Sequence, residues 1–173
     1  MSTPPPPVCE TARLLLRDVR PEDEEAIYRL LSDERVVRFM LFPIFTRERA
    51  HRFVARLQAP PPAAGEVPQL VLAVTERAND GAAIGLCGLV LRPEAEDGEV
   101  WYLLQPELWG NGLVTEAVRG LVEHGFRHLG LHRIWASCLP ENPASARVLE
   151  KIGFRREGLL RRLGVQGESA YHA

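Results

Sequence analysis

The chain has 173 residues, a hydrophobic share of 46 %, a charged share of 25 % and a formal net charge of −2. That composition belongs to a soluble globular domain with one core and excludes a disordered chain. No apolar run approaches the ~18 residues of a spanning helix, and the charge balance gives no reason to expect a nucleic acid or an anionic membrane as a partner.

Met1 to Cys9 carries four consecutive prolines but neither a basic patch nor an apolar h-region, so it reads as a polyproline-like tail and not as a signal peptide. A disordered tail is expected over 1–10 and a single domain over 11–173. Arg13–Arg17, "RLLLR", reads as a short buried strand. Pro21 suits the first turn of a helix, Glu22 to Glu25 place negative charge near its positive end, and Ile27, Leu30 and Leu31 keep helical spacing. A short helical piece is expected after Ser32. Thr46 has the chemistry of an N-cap for a third helix ending near Gln58, with Ala50, Phe53, Val54 and Leu57 on one face. Between them, "FMLFPIF" at 39–45 has three readings: a substrate groove, a subunit contact or part of the core.

Residues 59–68, "APPPAAGEVP", form a connecting loop. Three strands follow, Leu70–Thr75, Ile84–Leu91 and Glu99–Leu104, the first two joined by the turn-forming "ERANDGA". Val114, Ala117, Val118, Leu121, Val122, Gly125 and Phe126 then recur at i, i+3, i+4, i+7, an amphipathic helix. A strand over Arg133–Leu139, a helix from Pro143 to Lys151 capped by Asn142, and a hairpin of Arg155–Leu163 with Glu168–His172 complete the chain. This order predicts an α+β domain, a mixed sheet with helices against it.

"LWGNGLVTEA", 108–117, places Gly110 and Gly112 where the amphipathic helix begins. A helix start exposes unpartnered N–H groups and partial positive charge, which suits an anion. Side chains at the two glycines would hinder a diphosphate from reaching those amides; a plain surface turn is the alternative. The dinucleotide fingerprint fails, because Thr115 stands where a third glycine is needed and no acid follows about twenty residues on. A Walker loop fails for want of Gly-Lys-Ser/Thr.

"TARLLLRDVRPEDEEAIYRLLSD", "EVWYLLQPELWGNGLVTEAVRGLVEHGF" and "LHRIWASCLPENPASARVLEKIGFRREG" together resemble the GNAT N-acetyltransferase superfamily, and within it the ribosomal-protein N-terminal (RimJ/RimL-like) branch. The resemblance spans roughly residues 11 to 172. It implies a mostly antiparallel sheet of six to seven strands with four to five helices, whose fourth and fifth strands splay into a wedge. It also implies acetyl-CoA as cosubstrate, its diphosphate on the amides of Trp109, Gly110, Asn111, Gly112, Leu113, Val114 and Thr115 and its pantetheine in the wedge, near Asn142. A backbone N–H around Leu103 or Leu104 would meet the carbonyl oxygen. Arg147 and Lys151 are candidates for the 3′-phosphate, or ordinary exposed helix charges.

The resemblance puts a Glu at Glu99, to accept the amine's proton or to bind the amine, and a Ser at Ser145, near the sulfur or merely capping the helix. Three departures stand out, the first being Glu107, where the superfamily often has Gln or Arg. Asn111 occupies a position where a basic residue is common, and Leu149 occupies the one where the superfamily often has the Tyr that protonates the departing thiolate. His124, His128 and His132 at four-residue intervals lack Cys or carboxylate partners at metal spacing and suit a helix C-terminus better, so no metal is expected. Cys138 has no His partner in sequence for nucleophilic work. Cys9, Cys87 and Cys138 show no metal spacing and fit a reducing cytoplasm.

The expected activity is therefore acetyl transfer by direct attack of a bound amine. A protein N-terminal α-amine leads, ahead of a small-molecule amine such as an antibiotic, amino acid or polyamine, or a non-catalytic acetyl-CoA sensor. The chain would act as a monomer or homodimer.

Overall fold

The computed structural model describes residues 6–40, 42–59, 67–78, 81–160 and 168–172. The strands are β1 (Cys9–Glu10), β2 (Leu14–Asp18), β3 (Gln69–Glu76), β4 (Gly85–Arg92), β5 (Asp97–Leu104), β6 (Arg133–Cys138), β7 (Arg155–Leu160) and β8 (Glu168–His172). The helices are α1 (Glu24–Ser32), α2 (Glu34–Val37), α3 (Arg47–Gln58), α4 (Leu113–His128) and α5 (Pro143–Lys151). Among the described residues the sheet has eight strands in the order β1-β2-β3-β4-β5-β6-β8-β7. Every neighbouring pair is antiparallel except β5 and β6. This is the mixed α+β sheet expected, with eight strands where six to seven were implied and with the parallel pair inside it, two strands from the β7 edge.

Side-chain alternation along the strands sends successive residues to opposite faces. Leu72, Val74, Cys87, Leu89, Val100 and Leu104 pack with α4 and α5, while Ala73, Leu86 and Leu103 pack with the α1–α3 side. On that second side Arg17 of β2 and Asp23 are both buried, with side chains 4 % and 2 % exposed. Asp23 accepts from both terminal nitrogens of Arg17 at 2.7 and 3.0 Å and from the Arg20 N–H at 2.8 Å. It thereby holds the short 3-10 turn Pro21–Asp23 that precedes α1, where one continuous helix was expected.

The local start signals act as read. Thr46 caps α3 by accepting from the Arg49 N–H, and Asn142 caps α5 by accepting from the Ser145 N–H at 3.1 Å. The tail boundary needs correction: Cys9–Glu10 pairs with Leu15–Leu16 as β1, because the free edge of β2 offers ladder partners there. Residues 1–5 of that tail, 79–80 of the expected hairpin turn, 60–66 of the loop and 161–167 of the closing hairpin lie outside the described residues. Within the segment 39–45, residue 41 lies outside the described residues and the others divide their roles. Phe45 is buried in the second core and Ile44 is exposed, whereas Phe39 and Met40 turn toward the cavity described below.

Removing one partner of a buried ion pair strands the other charge. Asp23→Ala should therefore lower unfolding free energy by about 3–5 kcal/mol in urea titration, far more than a surface change such as Glu48→Ala.

Candidate active site

β5 and β6 pair over three registers only, Asp97 with Arg133, Gly98 with Ile134 and Glu99 with Trp135, and then part. Beyond that point β6 continues its ladder with β8, through Ala136, Ser137 and Cys138. The Gln105 N–H donates to the Ile84 carbonyl at 3.0 Å, which fixes the phase of the β4–β5 ladder. Alternation then turns the backbone groups of Val100, Tyr102 and Leu104 to the opposite edge, toward β6. Leu103, named with Leu104 as a donor to the carbonyl oxygen, aims its backbone at β4 and not into the wedge.

A cavity of about 510 Å³ occupies this wedge. Its lining joins Val100 to Leu104, Ala136 to Leu139, Asn142, Ser145, Arg147, Lys151 and the turn before α4. That turn has Gly110 at φ +80° and Gly112 at φ +74°, both left-handed. Among the described residues, each glycine's chain neighbours aside, nothing lies within 4 Å of where a Cβ on Gly110 would sit, and only Arg13 Nη2, at 3.7 Å, near that of Gly112. Among the described residues no side chain caps α4 at Gly112, so its first amides keep their donor capacity. Trp109 stands on the turn's rim, donating its indole N–H to the Leu104 carbonyl at 2.8 Å. Gly110, Gly112, Leu113, Val114 and Thr115 line the cavity. Asn111 instead folds back onto the carbonyls of Leu108 and Trp109.

Polar side chains sort onto the two faces of the wedge. On the α1–α3 face, Glu99 stands where the strands part and accepts from the Ser137 hydroxyl at 3.1 Å. Trp101 follows on the same face, its ring over Gly88, where a Cβ would come within 2.7 Å of it. Val36, Phe39 and Met40 add apolar wall, and Arg35 spans Asp33 and Glu107 at 2.6 and 2.7 Å across the mouth. On the α4–α5 face, the hydroxyls of Tyr102 and Ser145 are 2.8 Å apart, and Tyr102 also reaches the Ser145 carbonyl at 3.1 Å.

Tyr102 is the residue that sequence reading passed over. Leu149, at the position where a tyrosine was looked for, is fully buried in the core. A hydroxyl pair therefore reaches the cavity from β5 and from the first turn of α5. Parity along β5 was the available signal, since Tyr102 faces opposite to Glu99 and Trp101.

The remaining candidates divide between this cavity and other parts of the fold. Arg147 and Lys151 are exposed along its α5 side, and the Lys151 carbonyl accepts from Arg119. Cys138 lines the cavity, while burial pushes the Cys87 thiol well above its ordinary range. His124 and His128 stack with ring centroids 5.0 Å apart near the end of α4, and His132 pairs with Glu96 at 3.2 Å. Burial, then the neighbouring His128, lowers the His124 pKa. No group of three or more metal-type side chains gathers among the described residues.

Comparison with known proteins gives this geometry a context. Residues 13–155 match the acetyltransferase (GNAT) domain family. The chain is 32 % identical to the uncharacterized N-acetyltransferase YoaA of Bacillus subtilis over 166 residues, covering 95 % of this chain and 92 % of that protein. Mycobacterium smegmatis RimJ in complex with CoA-disulfide is similar in structure, with a TM-score of 0.78, 23 % identity and coverage of 92 % and 81 % of the two chains. So is Vibrio cholerae spermidine N-acetyltransferase in complex with CoA and spermine, with a TM-score of 0.79, 18 % identity and coverage of 92 % and 94 %. At such identities the two structures speak for the fold alone.

The left-handed turn is testable without any ligand. Gly112→Ala and Gly110→Ala should each lower stability by about 1–2 kcal/mol in urea unfolding, the cost of αL backbone for a residue with a Cβ.

Proposed function

Because the chain belongs to the GNAT acetyltransferase family and is an N-acetyltransferase of that kind, we propose that it transfers acetyl from acetyl-CoA to a protein N-terminal α-amine, as the RimJ/RimL-like branch does. The observation that carries the reading is the division of polar groups across the wedge. Glu99 lies on one face of the strand gap and the Tyr102–Ser145 hydroxyl pair on the other. An amine and a thioester brought together in that gap would meet a proton acceptor on the side of attack and hydrogen-bond donors on the side of the departing sulfur.

The residues fit acetyl-CoA. The amides opening α4 suit the linked phosphates, the parted backbone edge near Leu104 suits an extended amide-bearing arm, and Asn142, Arg147 and Lys151 stand along the same cavity. Acetyl-CoA supplies the activated acetyl group. Glu99, held by Ser137, takes the proton from the incoming nitrogen, directly or through water. Of Leu103 and Leu104, Leu104 is the one whose N–H turns toward the wedge, and it is the one assigned to meet the thioester oxygen, where negative charge develops. Ser145, backed by Tyr102, donates toward the sulfur.

The acceptor class follows from amine acidity. At pH 7 an α-amine is neutral about one time in six and a lysine about one time in a few thousand. One carboxylate, with no second acid among the described lining residues, suits the easier deprotonation. Among the described lining residues Glu99 is the sole carboxylate, and the wall around it is Val36, Phe39, Met40, Trp101 and Leu103. That favours a single amine on a peptide over a polyamine with several charges. The expected setting is the cytoplasm, where acetyl-CoA and new polypeptide ends meet.

The direct test offers acetyl-CoA with free-N-terminus peptides, Nα-blocked lysine peptides and small amines, read by mass spectrometry. Acetylation of the free N-termini is expected, and turnover confined to polyamines or lysine side chains overturns the acceptor assignment. Glu99→Gln should lower kcat by about 10²–10⁴ near pH 7. The deficit should shrink as pH rises past about 8, where the α-amine is already neutral. Tyr102→Phe should lower kcat on the order of tenfold to a hundredfold with acceptor KM little changed.

A further inference from the structure

Arg13 precedes β2 and is about a hundred positions from the glycine turn in sequence, yet it touches that turn and the helix behind it. Its Nε donates to Glu116 Oε2 at 2.7 Å, its backbone N–H donates to Glu116 Oε1 at 2.7 Å, and its Nη1 donates to the Asn111 carbonyl at 3.1 Å. Thr11 adds its hydroxyl to Glu116 Oε1 at 2.7 Å. The bend that carries Arg13 is itself fixed, since the Arg13 carbonyl accepts from the Arg77 N–H at 2.8 Å and Arg77 Nη1 donates to the Thr11 carbonyl at 3.1 Å.

Two physical consequences follow. A trans peptide points its C=O and N–H in opposite directions. Holding the Asn111 carbonyl therefore turns the Gly112 N–H away from Arg13, and Gly112 lines the cavity while Asn111 and Arg13 do not. The second consequence concerns Glu116, in the first turn of α4. An acid at that place is free in principle to fold onto the helix's open amides, and its charge opposes any anion bound there. Three donors from the Thr11–Arg13 bend engage both of its oxygens instead. Burial pushes the Glu116 carboxyl up, but the bonds from Thr11 and Arg13 outweigh it and leave the group below the ordinary carboxylate range.

We propose that Arg13 is a positioning residue of the anion cradle: it fixes the Asn111–Gly112 peptide and neutralises Glu116, so that the α4 amides are presented to the diphosphate of CoA. Its guanidinium cancels the Glu116 charge beside the turn, so that the partial positive charge of the helix start is not opposed there. The proposal rests on the reading of acetyl-CoA as cosubstrate.

The test is calorimetric titration of the full-length protein with CoA and with pantetheine, which lacks the diphosphate, with melting temperatures recorded alongside. Arg13→Gln should weaken CoA binding about tenfold, the scale of a lost hydrogen bond to a charged group, while pantetheine affinity stays within about twofold. Arg13→Lys should recover part of the loss, since it restores charge but not the planar fork that serves two acceptors at once. Adding Glu116→Gln to Arg13→Gln should also recover part, because it removes the uncompensated carboxylate. CoA affinity equal to wild type in Arg13→Gln overturns the proposal. So does equal loss of CoA and pantetheine, or a double variant no better than Arg13→Gln with both still folded. A wild-type protein that binds no CoA overturns the cosubstrate reading itself, a result separate from any difference among the variants.

Discussion

The site depends on one interruption in hydrogen bonding: the parallel ladder of β5 and β6 stops at Glu99–Trp135. Neither strand ends there. β5 keeps its antiparallel partner β4 through Leu104, and β6 keeps β8 through Cys138. Each is anchored on its outer side, so the two diverge without losing the sheet. Main-chain groups that would otherwise pair with each other line a gap instead. A buried polar backbone edge of this kind is costly unless it finds partners, and an extended chain carrying amides is chemically matched to it.

The parity of the strands converts this gap into a directional site. Because neighbouring residues alternate faces, Glu99 and Trp101 lie toward α2 while Tyr102 lies toward α5, where it meets Ser145. One strand thus turns a carboxylate to one face of the gap and a hydroxyl to the other. The buried Arg17–Asp23 pair belongs to the same arrangement at longer range, since it anchors the start of α1 and with it the helical side that carries Val36, Phe39 and Met40 to the cavity.

Local chemistry was legible in the sequence, and long-range chemistry was not. The caps Thr46 and Asn142, the spacing of α4 and the two glycines before it each rest on residues within one turn of each other, and they are found where read, except that Phe126, placed on the apolar face of α4, is exposed. The resemblance to a family supplied the wedge, Glu99 and Ser145. Tyr102 escaped because its partner is 43 residues away, and nothing in the spacing says which face of β5 it occupies. The Arg13–Glu116 contact, 103 residues apart, is invisible for the same reason. Which of Leu103 and Leu104 turns its backbone to the gap was not legible, because ladder phase is set by the pairing with β4 and strand propensity carries no phase. Phe39 to Phe45 resisted reading because hydrophobicity alone does not separate a core wall from a cavity wall: Phe45 became the first, Phe39 and Met40 the second.

The central claim is that main-chain amides, those opening α4 and that of Leu104 at the parted edge, hold the cosubstrate. Residue-resolved amide hydrogen exchange by NMR, with and without acetyl-CoA, tests it most directly. The account predicts that exchange slows at Leu104 and at Gly112 to Thr115 when acetyl-CoA is added, with β1–β3 little affected. Unchanged exchange at those amides, with protection arising elsewhere in the chain, would contradict it.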